Sequence, residues 1–372
     1  MQLLSLAAIL FMSSGLMLNQ YLVSGSIPPT PSRNTPVTTD DIVPSKYGKR
    51  PIVFSDVDGT LVQYEDKLND EELDASSEEE REKYLSTLVA MPRSSTGKVG
   101  YVSPRTLELL CKIKEDYDGY ICLVSGARST TLAQRAPFFV HEGRRAIDAF
   151  SSESGGRLFV NNSGSFEEMT FYGERHDLEP LNALKEHFSE IGFVVDDRDY
   201  THQFRLHRSK QKGGETEVAF DELLDGDGTR VDGVAKTANL GCCDFFPSSS
   251  GKRSVGAFLT SKMKELGELG VGEGEGKAKE LCIFTCGDDD NDIELAKGDF
   301  VDFSIFPKKN GARVMRGDAG NMAQVGDGDK VQRFSFTGKE IIKGERKAWE
   351  QLKEDILATE IMLSLIIKEI ER

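Results

Sequence analysis

Two acidic residues, one residue apart, directly follow a short apolar run. The run from Ile52 to Phe54 is typical of a buried strand, and Asp56, Asp58 and Gly59 come after it. Because glycine lets the chain turn, both carboxylates would leave the strand end close together. Such a pair suits a hard cation and a phosphoryl group, since one acid can attack phosphorus and the other can move protons. An ordinary strand followed by an Asp-Gly turn has the same local pattern, so the rest of the chain must decide.

A second apolar run, residues 120–124, ends in a hydroxyl residue and a glycine, Ser125 and Gly126. A short helix is predicted over Thr130–Arg135. A hydroxyl and the backbone amides at a helix start can point to the same place, which suits a phosphate group. This segment is therefore a candidate phosphate-binding loop.

A third apolar run, residues 281–286, ends in the acid-rich segment Gly287–Asp292. Several acids at another strand end would form a hard-cation site if the fold brought them to Asp56 and Asp58. A plain acidic turn that caps a helix is the alternative interpretation.

The charge of the chain limits which ligands it can bind. Its 372 residues carry a net charge of −16, which argues against non-specific nucleic-acid binding. A phosphorylated ligand would then need local cations. Lys252 precedes a predicted helix, where it could face a phosphate bound at the helix end or lie in a solvated loop.

The six cysteines show no Cys-x-x-Cys or zinc-type spacing, which predicts buried free thiols.

The N-terminal residues differ in composition from the rest of the chain. Residues 3–18 are apolar, and small residues follow at 24–26, which predicts a signal peptide or anchor over 1–25. Residues 26–49 are rich in Pro, Ser and Thr, as in a flexible linker. We expect entry into the secretory pathway or an organelle such as a plastid. An uncleaved anchor would bring the protein to a membrane, and a start placed too far upstream would leave it cytoplasmic.

The order of the helix and strand patterns predicts an α/β fold with a Rossmann-like parallel sheet. Residues 50–157 and 244–336 would form the core, and residues 158–243 an inserted α+β domain. Within the insertion, Leu181–Phe188 predicts a helix, whereas Thr170–Tyr172 and Gln203–His207 predict antiparallel strands. The acidic run 65–82 predicts a solvated surface or a disordered insertion. Residues 337–372 form a predicted C-terminal helical segment.

Together, these features closely resemble the haloacid dehalogenase superfamily. Its four motifs are Asp-x-Asp-Gly-Thr at Asp56–Thr60, a hydroxyl residue at Ser125, a lysine at Lys252, and Gly-Asp-x-x-Asn-Asp at Gly287–Asp292. The match covers residues 50 to about 310. The insertion, entered through Ser152–Gly156, resembles the α+β (type II) cap of the Cof-type and sucrose-phosphatase-like subgroup.

The resemblance implies a role for each motif residue. Asp56 would be the nucleophile that forms an aspartyl-phosphate, and Asp58 the general acid and base. Mg²⁺ would be held by the Asp56 side chain, the Asp58 backbone carbonyl and Asp288. Substrate would be bound by Thr60, Ser125, Gly126, Lys252 and Asn291, with Asp292 as the supporting residue that orients the lysine.

The resemblance therefore implies a magnesium-dependent phosphatase acting on a small phosphorylated metabolite, such as a sugar phosphate. A phosphosugar mutase would share the motifs but return the phosphate to the sugar, and a non-catalytic sugar-phosphate binder would show no turnover. Arg157, Arg205 and His207 are candidate contacts from the cap, although surface charges on an antiparallel sheet would have the same pattern. The sequence leaves the oligomeric state open.

Overall fold

The structure, a computed structural model, describes residues 49–65, 75–94, 97–211, 220, 231–239, 242–269, 280–288, 290–305 and 348–372. The predicted signal or anchor and almost all of the predicted linker lie outside these ranges. Among the helices that are described, none combines the length and apolar character that crossing a membrane requires.

Short strands and helices follow one another along the described chain. The strands are β1 (Lys49–Ser55), β2 (Gln63–Tyr64), β3 (Val89–Ala90), β4 (Gly100–Val102), β5 (Tyr120–Val124), β6 (Val140–His141), β7 (Arg144–Arg145), β8 (Ala149–Ser152), β9 (Arg157–Asn162), β10 (Ser165–Glu168), β11 (Val195–Asp196), β12 (Phe204–His207), β13 (Val234–Asn239), β14 (Cys242–Pro247), β15 (Glu280–Cys286) and β16 (Phe303–Ile305). The helices are α1 (Ala75–Leu85), α2 (Pro104–Asp116), α3 (Ser129–Arg135), α4 (Thr170–Gly173), α5 (Glu179–Glu190), α6 (Lys252–Leu269), α7 (Asp290–Ala296) and α8 (Ala348–Ile370).

Within the described residues, the centre of the fold is a seven-stranded sheet in the order β10-β9-β8-β5-β1-β15-β16. Strands β8, β5, β1, β15 and β16 run parallel, and β9 and β10 add an antiparallel hairpin at one edge. In the middle of the sheet, Ser55 of β1 is level with Leu123 and Cys286. The three predicted apolar runs are therefore neighbours, and their carboxyl ends reach the same edge.

Both faces of the central sheet are buried, because successive side chains of a strand point to opposite sides. Val53 belongs to an apolar cluster with Leu110 of α2 and Met362 of α8. Its neighbour Phe54 belongs to a second cluster with Leu259 of α6. With helices on both faces, a parallel strand can be apolar throughout, which explains the continuous apolar runs in the sequence.

A separate antiparallel sheet has the order β11-β12-β14-β13, and α5 packs against one of its faces. The ring centroid of Phe188, on α5, lies 6.0 Å from that of Phe204 and 5.2 Å from that of Phe245. Alternate positions on these strands point away from α5 and form a second, polar face. The predicted fold class, an α/β core with an inserted α+β cap domain, is confirmed.

The inserted domain has different limits from the predicted range 158–243. Strands β9 and β10 pair with β8 in the central sheet, although their residues fall in the predicted insertion. Strand β14 extends to Pro247 and pairs with β12 and β13 in the inserted sheet. A side-chain pattern indicates that a segment is a strand, but the sheet it joins depends on partners distant in sequence.

One local prediction differs from the structure. Thr170–Tyr172, predicted to belong to an antiparallel strand, lies in the single helical turn α4, because three residues are too few for periodicity to separate strand from helix. The acidic run 65–82, predicted to be a solvated surface or a disordered insertion, includes part of helix α1, where Glu79, Glu80 and Glu82 are exposed to solvent. There, Arg81 forms ion pairs with both Glu65 and Glu78, which offset the local negative charge.

The described part of the C-terminal segment is one helix, α8, which packs on the core. Its residues Leu363, Ile366 and Ile370 are buried in the same cluster as the apolar face of α2. Of the predicted helical segment 337–372, residues 348–370 form this helix, and residues 306–347 lie outside the described ranges. All six cysteines are free, and five of them are buried, as predicted.

Candidate active site

Three neighbouring strands bring the predicted site residues to one edge of the central sheet. Asp56 follows β1, and its backbone N–H donates to the carbonyl of Cys286, at the end of β15, at 2.9 Å. Ser125 follows β5, and its N–H donates to the carbonyl of Ser151 at 3.0 Å. Residues after the carboxyl ends of adjacent parallel strands share a crevice, which is a usual place for ligands.

Three carboxylates converge at this edge. One oxygen from each of Asp56, Asp288 and Asp292 lies within 4.8 Å of the others, and the described chain contains no other such group of acidic, His or Cys residues. The hydroxyl of Thr60 donates to Asp288 Oδ1 at 2.9 Å and lies 3.4 Å from Asp56 Oδ2. Gly59 has a φ of 93°, and a Cβ there would collide with the Asp288 carboxylate. The turn after β1 therefore needs glycine to approach Asp288.

A single lysine lies within this acidic group. The Nζ atom of Lys252 lies 2.7 Å from Asp56 Oδ1 and 2.6 Å from Asp292 Oδ1. The other oxygen of Asp292 accepts a hydrogen bond from the Asp288 N–H at 3.1 Å. Burial alone would lower the pKa of Lys252, but Asp292 and Asp56 raise it above its usual value, so the ammonium stays charged. Asp292 thus contacts both the lysine and the turn that carries Asp288.

The charges of this group are unbalanced, because three carboxylates surround one ammonium. Burial raises the pKa of Asp56 well above its usual value; Lys252 opposes this shift, while Asp292 and Asp288 add to it. A divalent cation would offset the excess negative charge and favour the ionised form of Asp56. Carboxylate oxygens are also the ligands that Mg²⁺ prefers, so the donor set fits this ion.

Asp58 does not point its carboxylate into the cluster. Its Oδ1 atom accepts a hydrogen bond from Arg135 Nη1 at 2.5 Å and another from the hydroxyl of Tyr64. The Asp58 carboxylate is therefore bound outside the group formed by Asp56, Asp288 and Asp292. Neither Arg135 nor Tyr64 belongs to one of the four motifs, so no sequence pattern pointed to them.

The remaining predicted substrate residues have varied placements. Ser125 is buried, and its hydroxyl accepts a hydrogen bond from the Ala127 N–H at 3.1 Å. Thr60 is fully buried, and its hydroxyl contacts the Asp288 and Asp56 carboxylates. The side chain of Asn291 lies outside what the structure describes.

The cap contacts the loop after β5 through its polar face. Gln203 donates from Nε2 to the carbonyl of Gly126 at 3.2 Å. Arg205 makes a two-point ion pair with Asp244, with Nη2 to Oδ2 at 2.6 Å. A Cβ on Gly126 would lie 3.5 Å from Asp244 Oδ2 and 3.9 Å from Arg205 Nη2, so the pair lies beside this loop. Arg205 is thus the predicted cap residue that the fold brings to the site.

The other two predicted cap contacts, Arg157 and His207, each contact a carboxylate of the protein. Arg157 lies in β9 of the central sheet rather than in the cap, and its Nε donates to Glu168 Oε1 at 2.7 Å. The His207 Nε2 atom lies 3.2 Å from Asp196 Oδ2, in the cap sheet itself.

A buried carboxylate from the core holds the cap in place. Glu153 is fully buried, and its Oε2 atom accepts hydrogen bonds from the backbone N–H groups of Thr201 and His202 at 2.8 and 2.7 Å. Its other oxygen accepts from the Ser129 hydroxyl at 2.6 Å. Glu153 and Ser154 have φ values of 55° and 52°, which few non-glycine residues adopt. The sequence offered no signal for this contact apart from the short polar segment that leads to the insertion.

Comparisons with known proteins give structural matches alone. No protein-family model matches the chain, and no curated protein matches its sequence. The structure is similar to that of the sucrose-phosphatase from Synechocystis sp. PCC6803 in complex with sucrose and phosphate, at 14% identity. That alignment covers 84% of this chain and 98% of the phosphatase, with a TM-score of 0.45.

Two further solved structures are similar over most of this chain. The C-terminal domain of trehalose-6-phosphate phosphatase from C. albicans is 12% identical, with 85% of this chain and 93% of that chain covered and a TM-score of 0.43. A protein from Bacteroides thetaiotaomicron, described among phosphatases of the haloalkanoate (HAD) enzyme superfamily, is 14% identical, with 85% and 99% covered and a TM-score of 0.42. All three similarities are below 15% identity, with TM-scores below 0.5.

Proposed function

We propose that this chain is a magnesium-dependent phosphomonoester phosphatase of the haloacid dehalogenase superfamily, acting through an aspartyl-phosphate on Asp56. The observation that carries the proposal is the position of Lys252, which contacts both Asp56 and Asp292 beside Asp288. A nucleophile, a buried cation and a set of hard-metal ligands meet at one sheet edge. This combination matches the needs of phosphoryl transfer, in which positioning and charge neutralisation do most of the catalysis.

The residues take roles that follow from their positions. Asp56 attacks phosphorus, and Lys252 binds the phosphoryl oxygens that gain charge. Asp56, Asp288 and the Asp58 carbonyl would hold Mg²⁺, which neutralises charge on the transferring group when it is bound. Ser125 offers its hydroxyl hydrogen to another phosphoryl oxygen, since its oxygen already accepts from a backbone N–H.

Asp58 moves the protons in both half-reactions. As the bond between phosphorus and the leaving oxygen breaks, Asp58 gives its proton to that oxygen and the product alcohol departs. Asp58, now ionised, then takes a proton from the water that attacks the aspartyl-phosphate. This second step releases inorganic phosphate and restores both aspartates to their starting forms.

We propose a sugar phosphate as the substrate class. The cap places Arg205, Asp244 and Gln203 beside the Gly126 loop, so polar donors and acceptors border the site. A leaving group rich in hydroxyls can exchange hydrogen bonds with such a surface, whereas an apolar leaving group would displace water from these polar groups and offer no hydrogen bond in return.

The function is tested by phosphate release from a panel of sugar phosphates with purified full-length protein. We expect steady release that requires Mg²⁺ and disappears in Asp56→Asn. The matched control is Asp299→Asn, whose side chain is 98% exposed, and it should retain parent activity. Release that survives Asp56→Asn would overturn the proposed nucleophile.

The same assay separates the two alternatives. Bisphosphate-dependent interconversion of hexose 1- and 6-phosphates without phosphate release would indicate a mutase. Tight binding of a sugar phosphate with no turnover would indicate a binding protein.

We further propose, from the apolar N-terminal residues, that the protein enters the secretory pathway or an organelle. A fluorescent fusion of the full chain, compared with one lacking residues 1–25, would test that destination.

A further inference from the structure

The carboxylate of Asp58 is bound on one oxygen by two residues that belong to none of the four motifs. Arg135 Nη1 donates to Oδ1 at 2.5 Å, and the hydroxyl of Tyr64 donates to the same atom. We propose that Arg135 and Tyr64 are positioning residues that orient Asp58 so that its Oδ2 atom exchanges the proton with the leaving group. The inference rests on the proposed phosphatase function.

Arg135 has the properties of a fixed support. It is completely buried, with 0% of its surface exposed, and it is among the largest fully buried side chains of the described chain. Its Nε donates to the carbonyl of Pro92 at 2.9 Å, while Nη1 reaches Asp58. A planar guanidinium bound at two points has little freedom, so it defines the position of the oxygen it contacts. Burying this cation is costly unless its charge is paired, and the Asp58 carboxylate provides that pairing.

The Tyr64 hydroxyl restricts the orientation of the same Asp58 carboxylate from a second direction. It lies on β2, six residues after Asp58. The guanidinium carbon of Arg135 lies 5.8 Å from the centroid of its ring, so the two supports also contact each other. Two donors that converge on one oxygen from different elements fix the rotation of the carboxylate, which one donor alone would not.

Because both donors bond to Oδ1, the Oδ2 atom of Asp58 is available to exchange a proton. Among the described residues, none donates a hydrogen bond to Asp58 Oδ2, whereas Oδ1 has two donors. The Asp58 side chain is 37% exposed, so part of it faces solvent at the sheet edge, although its partner Arg135 does not. Oδ2 is therefore the atom that gives its proton to the leaving oxygen and later takes one from the attacking water.

The leaving group itself provides the test. A sugar leaving group needs a proton from the general acid as it departs, whereas a nitrophenolate leaves without one. If Asp58 is no longer positioned correctly, the rate should therefore fall more on the sugar phosphate than on the nitrophenyl phosphate. For Tyr64→Phe we expect kcat/KM to fall about 10-fold on the best sugar phosphate and by less than about 3-fold on p-nitrophenyl phosphate. Arg135→Gln should show the same split with a larger loss, and Arg135→Lys should recover part of it.

Three further variants distinguish a positioning role of Tyr64 and Arg135 from a structural one. Tyr101→Phe, on the neighbouring strand β4 of the same small sheet, should behave as the parent. Asp58→Asn should show the same selectivity between the two substrates, and adding Tyr64→Phe to it should cause no further loss. Thermal melting of each variant, recorded beside the kinetics, separates altered chemistry from a general loss of folded protein.

Equal losses of kcat/KM on both substrates, or a further loss on top of Asp58→Asn, would assign these residues a structural role and overturn the inference alone. A folded Tyr64→Phe with parent kinetics on the sugar phosphate would overturn it as well. If the parent released phosphate from neither substrate, the proposed function would fail and this inference with it.

Discussion

Thr359 on the C-terminal helix donates its hydroxyl to the carbonyl of Thr60, 299 residues earlier, at 2.7 Å. Gln63 reinforces this contact, because its Nε2 lies 3.0 Å from the Thr359 hydroxyl and 2.8 Å from the carbonyl of Gly59. All these groups are buried. The helix thus supports the turn whose Thr60 hydroxyl bonds to Asp288.

This contact predicts that Thr359→Val weakens the proposed metal site without removing any of its proposed ligands. Valine has nearly the same shape, but the Thr60 carbonyl would lose one of its two donors and keep only Gln63 Nε2, at 3.0 Å. We expect a cost of about 0.5 to 1.5 kcal/mol in folding free energy. We expect a Mg²⁺ affinity about 3- to 10-fold lower by calorimetry, which corresponds to about 1 kcal/mol. Thr359→Ser keeps the hydroxyl and serves as the control. A serine variant as impaired as the valine variant would show that the hydroxyl is not the cause.

Lys252→Ala should abolish most of the activity. Its ammonium is the cation that contacts both Asp56 and Asp292, so its loss removes charge stabilisation of the transferring phosphoryl group. We expect kcat to fall by about 100- to 1000-fold, with an unchanged circular dichroism spectrum. Arg253→Ala, at the next residue and half-exposed on the surface, is the matched control. If a folded Lys252→Ala protein turned over at the parent rate, the phosphate lysine would have to lie elsewhere.

The segment that leads to the insertion touches the segment that returns from it. Gly155 has a φ of 84°, and a Cβ there would collide with the backbone carbonyl of Gly251. Gly143 has a φ of 79° and open space around it, so it carries the same backbone strain without the collision. We expect Gly143→Ala to cost about 1 kcal/mol in unfolding free energy and Gly155→Ala about 3 kcal/mol or more, measured by urea unfolding. Similar costs at the two positions would contradict the close approach.

Acid should destabilise the folded protein partly through His176. The ring is buried against Tyr172 and His202, with Nδ1 2.9 Å from the Ser249 hydroxyl. Burial, with smaller contributions from His202 and Arg175, lowers the pKa of His176 to about 4.

Because the folded-state pKa lies below the unfolded value of about 6.5, the contribution to stability is complete above pH 6.5. It is lost progressively as the pH falls toward 4, because only the unfolded chain takes up the proton. The resulting decrease in the free energy of unfolding should reach about 2 kcal/mol at pH 5. His176→Gln should reduce the fall in the urea midpoint between pH 7 and pH 5, whereas His187→Gln on the exposed side of α5 should leave it unchanged. An identical fall in both variants would exclude His176 as the source.

The sequence by itself determined which residue types lie at the candidate site. The apolar runs at 52–54, 120–124 and 281–286 indicated buried strands, and each run ended in polar residues of types that can bind phosphate or a hard cation. Parallel strands side by side end at one edge, so the motif residues could be assigned to a common site before the fold was known. Such local patterns suffice because the residue type and its position at a strand end carry the chemical meaning.

Only the tertiary structure decided how that site is supported and covered. Arg135 meets Asp58 across 77 residues, and Thr359 meets Thr60 across 299. The hairpin β9–β10 joined the central sheet although its pattern fits either sheet. These features depend on which distant surfaces pack together, and neither periodicity nor motif spacing records that choice. The sequence therefore identified the candidate reacting groups, and the packing of distant elements set their orientation.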